Sequence, residues 1–279
     1  MKAPAFAYAK PRALEEAFDL LERHGEQARI LAGGQSLVAM LNLRVASPDI
    51  LVDITGIAGM DRITVSGGNL HIGALVKHRA IERSADVAKH CPLLAQAAPH
   101  IAHIAIRNSG TFGGSIALAD PAAEWPACCL ALDATFRLVS RKDERHVKAR
   151  DFFKGLYETA LEPGELLAEV EIPLLPGHRA SFLELSRRRG DYAIVGLAAL
   201  ARNDGGKLSD VRLAYLGAGT TPVLARHAMA AAEGKAPGKD YATALAKDLS
   251  PIADVENDTR TKLHLANVLA GRALAALAA

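Results

Sequence analysis

Two glycine-rich loops constrain this chain more than any other feature. One runs Arg29-Ile30-Leu31-Ala32-Gly33-Gly34-Gln35-Ser36-Leu37 and the other Arg107-Asn108-Ser109-Gly110-Thr111-Phe112-Gly113-Gly114-Ser115. Each sets a Gly-Gly pair beside small hydroxyl or amide side chains. With no Cβ in the way, such backbone can turn its N–H groups toward a bound anion at close range. Two such loops point to a ligand with two phosphates, or to one long enough to touch both. Ahead of the first loop, Ala28–Ala32 reads as a buried strand. After it, Ser36 reads as a possible N-cap for a helix carrying Leu37, Met40, Leu41 and Arg44. Strand, glycine turn and helix N-terminus together offer free N–H groups and a positive dipole end to phosphate. The spacing is not GxGxxG and lacks the P-loop lysine, so neither the Rossmann nor the Walker reading fits.

The remaining pattern is a mixture of helices and strands. Leu14, Ala17, Phe18 and Leu21 fall on one helical face of Pro11–His24, which Pro11 and Gly25 punctuate. Strands are expected at Ile50–Ile54 and in a hairpin, Arg62–Ser66 and Leu70–Ala74, across Gly67-Gly68-Asn69. A largely helical stretch follows from about Val76 to Ile104, broken near Pro92 and Pro99. Strands are then expected at Thr135–Ser140, His146–Lys148 and Leu167–Ile172. Pro173–Arg179 marks a boundary between an N-terminal unit, 1–175, and a C-terminal unit, 176–279. The latter reads as strands Ser181–Arg187, Ile194–Arg202 and Val211–Leu216 with helices Val223–Ala232, Tyr241–Leu249 and Asn257–Ala276.

Composition removes several classes. The 279 residues are 50% apolar, enough to bury a large core. Lys and Arg number 33 against 31 Asp and Glu, a net charge of +2, and Arg187-Arg188-Arg189 is too short for a nucleic-acid footprint. Cys91, Cys128 and Cys129 cannot make a four-thiolate site alone, and buried thiols in a reducing cytoplasm are the simplest reading. The start, Met1 to Phe6, has no apolar h-region, so no signal peptide is expected. No charge-free apolar stretch is long enough for a membrane span. The ten histidines, His100 and His103 among them, show no ligand spacing, and no metal site is expected.

In order along the chain, Ala32–Leu37, Ile106–Ser115 and Ala119–Pro126 closely resemble motifs of the flavin-binding medium subunits of the molybdenum hydroxylases. Those motifs are A-G-G-Q/H-S-L, I-R-N-x-G-T-x-G-G-S/N and A-D-P-x-x-D-x-P. Phe6-Ala7-Tyr8, Arg188–Ala193 and Val211–Gly219 with Thr221-Pro222 resemble further elements of that family, so the likeness spans nearly the whole chain. Taken alone, either Gly-Gly pair reads as an ordinary turn and Tyr192 as a core tyrosine. Asp120 alone reads equally well as a helix cap. The ordered set carries the resemblance.

The resemblance implies an α+β chain: a two-subdomain FAD-binding fold of the vanillyl-alcohol-oxidase/PCMH type, subdomains about 1–57 and 58–175, followed by a smaller sheet-plus-helices domain. It implies that Ala32, Gly33, Gly34, Gln35, Ser36 and Leu37 hold the FAD pyrophosphate. Thr111, Phe112, Gly113, Gly114 and Ser115 would meet it and the ribityl chain from the other side. Ile101, Ala102 and Ile106 would line the flavin or its chain, and Leu167 the adenine end. Glu124 stands where the family usually has Asp, and Glu184 where many members have Lys. Tyr192 occupies the place of an aromatic residue beside the isoalloxazine. No catalytic nucleophile or base is implied on this chain. The implied role is an electron-transfer subunit, partnered by a small [2Fe-2S] subunit and a large molybdopterin subunit in a cytoplasmic dimer of heterotrimers. Its acceptor would be NAD, a quinone or another carrier. The alternative is a self-sufficient FAD oxidoreductase of the same broad fold.

Overall fold

The computed structural model describes residues 2–238 and 240–279; Met1 and Lys239, in the expected N- and C-terminal units, lie outside the described residues. Three parallel strands come first: β1 (Ala7–Ala9), β2 (Ala28–Leu31) and β3 (Ile50–Asp53), in the order β1-β3-β2. Helix α1 (Leu14–His24) covers them with Ala17, Phe18 and Leu21, and α2 (Leu37–Asn42) leaves the first glycine loop. Helix α1 begins three residues after Pro11, at Leu14, with no side-chain cap. Ser36 occupies the N-cap position of α2, as its place in the sequence suggests, although its hydroxyl makes no cap bond.

A five-stranded antiparallel sheet follows, ordered β4-β5-β10-β6-β7. Its first hairpin is β4 (Ile63–Ser66) and β5 (Asn69–Gly73). The chain then runs through α3 (His78–Arg83), α4 (Ala85–His90), α5 (Pro92–Ala97) and α6 (Ile104–Arg107). Next come α7 (Phe112–Leu118) and α8 (Glu124–Ala131). It returns through β6 (Thr135–Val139), β7 (Glu144–Lys148), α9 (Ala149–Phe152), the small hairpin β8 (Phe153–Gly155) and β9 (Glu158–Thr159), and β10 (Leu166–Pro173).

Helices α7 and α8 overlap the end of the second glycine loop and fill the stretch after it, to which the sequence pattern assigns no element. Thr111 caps α7 by accepting from the Gly114 N–H, which places the second Gly-Gly pair inside a helical first turn. Helix α8 is buried from Trp125 through Ala131. A helix covered on every side shows no polar stripe, so its period is invisible.

The last sheet is antiparallel: β11 (His178–Leu185), β12 (Val195–Asp204), β13 (Lys207–Leu216) and β14 (Val223–Leu224). The helix expected from Val223 starts only at α10 (Arg226–Ala232), because Val223 and Leu224 pair with β13. Helices α11 (Tyr241–Asp248) and α12 (Thr259–Ala278) complete the chain. Strand alternation makes this sheet two-faced. Val195, Leu197, Ala199 and Ala201 pack with Leu269, Ala273 and Leu277 of α12, whereas Ala198 and Leu200 join the core containing Trp125 and Phe112. The sheet is thereby clamped between α12 and the N-terminal helices, with Phe182 of β11 in the same N-terminal core.

Candidate functional site

The two glycine loops touch. A Cβ on Gly33 would stand 2.6 Å from the Ser109 carbonyl oxygen, 2.7 Å from Gly110 Cα and 3.0 Å from the Thr111 nitrogen. Only a glycine permits that approach. The two loops are not equivalent, however. Among the described residues, the backbone N–H groups of Gly33, Gly34, Gln35 and Ser36 donate no hydrogen bond within the protein; the Gln35 side chain donates to the Gly33 carbonyl at 3.0 Å. The second loop has spent its donors. Gly110 N–H donates to Ile106 O, Phe112 N–H to Val76 O, Gly113 N–H to Ala74 O and Ser115 N–H to Thr111 O. Phe112 is wholly buried with its ring edge-on to Trp125, centroids 5.2 Å apart, and Gly113 is pressed on Ala74. Phe112 and Gly113 therefore act as a buttress, while the Thr111 and Ser115 hydroxyls are among the loop's groups that donate to nothing within the described residues.

A cation stands between the loops. Lys77 Nζ donates to the Ser109 carbonyl at 2.8 Å, and burial holds its pKa below the usual lysine range, opposed by Asp53 and reinforced by Lys10. Asp53 closes the end of β3: it accepts from Tyr8 and from both the N–H and hydroxyl of Thr55, and lies 3.4 Å from Lys10. These partners keep Asp53 ionised against the cost of its burial.

Ile101, Ala102 and Ile106 form the next wall, and Arg107 sets its shape. The buried guanidinium donates to the carbonyls of Ile101 and Ala102, both at 2.9 Å, and to Glu82 at 3.0 Å. Ala102 is held at a φ of 41°, in the left-handed region that costs a side-chain-bearing residue free energy. Against this turn rests Gly190 (φ 90°), where a Cβ would lie 2.6 Å from the His103 ring. The 186–194 loop is thus docked on the N-terminal part, and it presents Tyr192 with 73% of the residue exposed. A second tie, Gly217 N–H to the Pro121 carbonyl at 2.8 Å, fixes the end of β13 to the start of α8.

Between these ties lies an acidic pocket edge. Asp120 accepts from Ala122 N–H at 2.9 Å and from the Tyr157 hydroxyl at 3.4 Å, so it forms a local turn rather than capping α8, whose N-cap position is Ala123. Burial, then Asp120, raises the Glu124 carboxyl to about 7. Burial, then Glu124, raises Glu184 to about 8. Partial burial with Asp120 and Glu124 raises the Tyr192 phenol in turn. Leu167 sits apart from this edge, buried at a bulge in β10.

Residues 4–175 match the FAD binding domain in molybdopterin dehydrogenase, and residues 180–277 match the CO dehydrogenase flavoprotein C-terminal domain. The chain belongs to the flavoprotein subunits of the molybdenum hydroxylases. The alpha subunit of the 6-hydroxypseudooxynicotine dehydrogenase complex of Paenarthrobacter nicotinovorans is 38% identical, over 99% of this chain and 95% of its own length. The carbon monoxide dehydrogenase medium chain of Afipia carboxidovorans is 35% identical, over 97% of this chain and 96% of its own. The structure of quinoline 2-oxidoreductase from Pseudomonas putida 86 superimposes at a TM-score of 0.95 with 38% identity, covering 100% of this chain and 98% of that one.

Membership of this flavoprotein family makes the chain part of an oxidoreductase with FAD as its cofactor, built on the family's two-domain FAD-binding fold. The geometry fits that cofactor. A pyrophosphate needs several donors converging without side chains in the way, and the first loop holds four unspent amides in a row beside Lys77. Sequence reasoning missed Lys77 and Arg107 as functional supports, since neither lies inside a glycine pair. It also missed a cluster of His71, Glu169 and Glu171, whose ligand atoms lie within 4.8 Å of one another. Those residues come from β5 and β10, nearly a hundred positions apart, so no spacing reveals them. In the structure His71 Nδ1 lies 3.2 Å from Glu169 and His146 Nε2 lies 3.3 Å from Glu171.

Proposed function

We propose that this chain is the electron-transfer subunit of a heteromeric molybdenum hydroxylase, taking electrons from [2Fe-2S] clusters on a small subunit and passing them through FAD to an external acceptor such as NAD or a quinone. The molybdopterin centre that hydroxylates the substrate would sit on a separate large subunit, in a cytoplasmic dimer of heterotrimers. The observation that carries the reading is the row of unspent amides at Gly33–Ser36 beside Lys77, in a chain whose relatives are medium and alpha subunits of dehydrogenase complexes. FAD bound there supplies the exchange of electrons between one-electron and two-electron partners.

The protein's own residues do the positioning. The first-loop amides and Lys77 anchor the pyrophosphate, and the Thr111 and Ser115 hydroxyls add donors from the second loop. The Arg107-clamped turn at Ile101–Ala102 with Ile106 gives an apolar wall, while Tyr192 and Glu124 border the open side. The division at 1–175 and 176–279 belongs to the same reading, supported by the two family matches on either side of it and by the two hydrophobic clusters. The three cysteines are free and buried, with the Cys91 thiol pushed up to about 12 by burial, so they suit a core better than a cluster. Among the described residues no helix is long and apolar enough to cross a membrane.

The test is the isolated full chain reconstituted with FAD. It is expected to bind flavin, to reduce a dye slowly with NADH, and to hydroxylate nothing. Substantial hydroxylase turnover by the metal-free chain overturns the relay reading, and failure to bind FAD overturns the site.

A further inference from the structure

The five-stranded sheet turns one face to the core. Leu70 and Ile72 of β5, Phe136 and Leu138 of β6, and Val170 and Ile172 of β10 are buried there. Alternation therefore sends His71, Arg137, Glu169 and Glu171 to the opposite face. On that face the register pairs His71 with Glu171, Glu169 with Arg137, and Arg137 with His146 of β7. One ligand atom from each of His71, Glu169 and Glu171 lies within 4.8 Å of the other two, and all three residues are partly buried.

The His71 ring shows what such a cluster lacks. Its Nε2 lies 3.4 Å from the Ser66 carbonyl oxygen and its Nδ1 3.2 Å from Glu169 Oε1, so an oxygen faces each nitrogen. A neutral imidazole carries one N–H. Whichever nitrogen holds it, the other lone pair meets an oxygen, a contact that becomes attractive only with a proton or a metal ion between them. With the hydrogen on Nε2, the open nitrogen is the one turned toward the glutamates. Metal-binding histidines are commonly arranged in this way, one nitrogen on the ion and the other N–H on a backbone carbonyl.

Charge favours the metal over the proton. Glu144, Glu169 and Glu171 share one guanidinium, that of Arg137, which is 3.0 Å from Glu144 and 3.9 Å from Glu169. Lys148 of β7 is engaged with Asp133 at 3.4 Å. Among the described residues, the basic group within ion-pair distance of Glu171 is His146, at 3.3 Å. A proton on His71 offsets one carboxylate, whereas a divalent cation offsets Glu169 and Glu171 together and is bonded by all three groups. One imidazole and two carboxylates make a donor set of the Zn²⁺ type, with a further position left to water. Tetrahedral bonds of about 2.0–2.2 Å set ligand atoms about 3.3–3.6 Å apart, a closure that rotation of the glutamate side chains supplies.

We propose that His71, Glu169 and Glu171 bind a divalent cation of the Zn²⁺ class, which ties β5 to β10 on the outward face of the sheet. His146 braces Glu171 from β7, and Arg137 tempers the affinity as a like charge. The site owes nothing to the FAD reading.

The test is calorimetric titration of the tag-free, chelator-stripped full chain with Zn²⁺, with NMR of the labelled histidine ring nitrogens in parallel. One equivalent is expected to bind saturably, moving the His71 Nδ1 resonance while Nε2 keeps its hydrogen. His71→Ala and Glu171→Gln are each expected to weaken binding at least about tenfold. His227→Ala, which removes an exposed histidine 2.7 Å from Asp248 on another part of the chain, is expected to leave it unchanged. Absence of saturable binding at millimolar Zn²⁺, equal affinity in the His71 and Glu171 variants, or a His71 Nδ1 that does not respond to Zn²⁺ overturns the site. The ring-nitrogen result on the wild-type chain decides the matter even where a variant fails to fold.

Discussion

Gly33 and Gly110 are pressed together so closely that a Cβ on the first would lie 2.7 Å from the Cα of the second. The glycines of the first loop therefore serve two purposes at once: they leave its amides open and they seat it on the second loop. Gly33→Ala is expected to lower stability by about 1–3 kcal/mol through overpacking, and to lose FAD because the amide row shifts. Gly114→Val fails for another reason, since its Cβ would strike Thr111 Oγ1 at 2.6 Å and break the cap of α7. Thermal melts of the apo-proteins with parallel flavin absorbance check both. An unchanged melt with full flavin retention in Gly33→Ala would show that the loops are not pressed together.

Lys77 is the cation beside the two glycine loops, held by the Ser109 carbonyl of the second. Lys77→Met is expected to weaken FAD binding about 10- to 100-fold, the usual loss for a charge-assisted hydrogen bond. Its melt should stay near wild type, because the side chain is only half buried. Fluorescence titration of apo-chain with FAD decides the matter; equal affinities would remove Lys77 from the site.

Arg107 is expected to behave as a structural clamp. Removing it leaves the Ile101 and Ala102 carbonyls unbonded and lets Ala102 leave its left-handed conformation. Arg107→Ala should cost about 3–5 kcal/mol, the range for breaking a buried charge network, and Arg107→Lys should recover only part of it. Urea unfolding measures this. A loss below about 1 kcal/mol would mean that the turn holds itself.

What the sequence revealed follows from where periodicity survives. The strands flanking the loops, the Gly67-Gly68 hairpin and the two-faced strands β12 and β13 were readable because alternation or turn residues mark them. The first glycine loop was readable as an open amide row because strand, glycines and helix are contiguous. In the second loop the Phe112 and Gly113 amides are taken by Val76 and Ala74, partners far away in sequence that no local pattern gives. Helix α8 was hidden by being buried all round. The positions of Lys77 and Arg107 depend on tertiary contacts that no local pattern encodes.

His78 gives the stability a pH dependence on the acid side. Its Nδ1 accepts from Trp125 Nε1–H at 2.9 Å in a buried setting, and burial with Lys77 and Arg107 lowers its pKa to about 4. The folded state therefore keeps His78 neutral while the unfolded chain, with an ordinary pKa near 6.5, takes up a proton. Stability is full above about pH 6.5 and is lost as pH falls toward 4, by up to about 3 kcal/mol over that span. His78→Gln should be less stable near neutrality yet show a flatter curve between those pH values. Melts across the range check the slope, and an equal slope in the variant would assign it to other groups.

Tyr192 is exposed on a loop whose Gly190 is wedged against His103. A ring placed there can shield the flavin and swing aside to admit an acceptor, because its own contacts are few while the loop base is fixed. Tyr192→Ala in the assembled complex is expected to leave cluster reduction by substrate unchanged. Reoxidation by a small dye should quicken severalfold, since the shield is gone, whereas reoxidation by the physiological acceptor should change as its docking contact is lost. Stopped-flow traces of flavin absorbance separate these steps. If both reoxidation rates stay at the wild-type value with flavin content intact, Tyr192 neither shields nor gates, and its ring only packs the seam between the 186–194 loop and the N-terminal part.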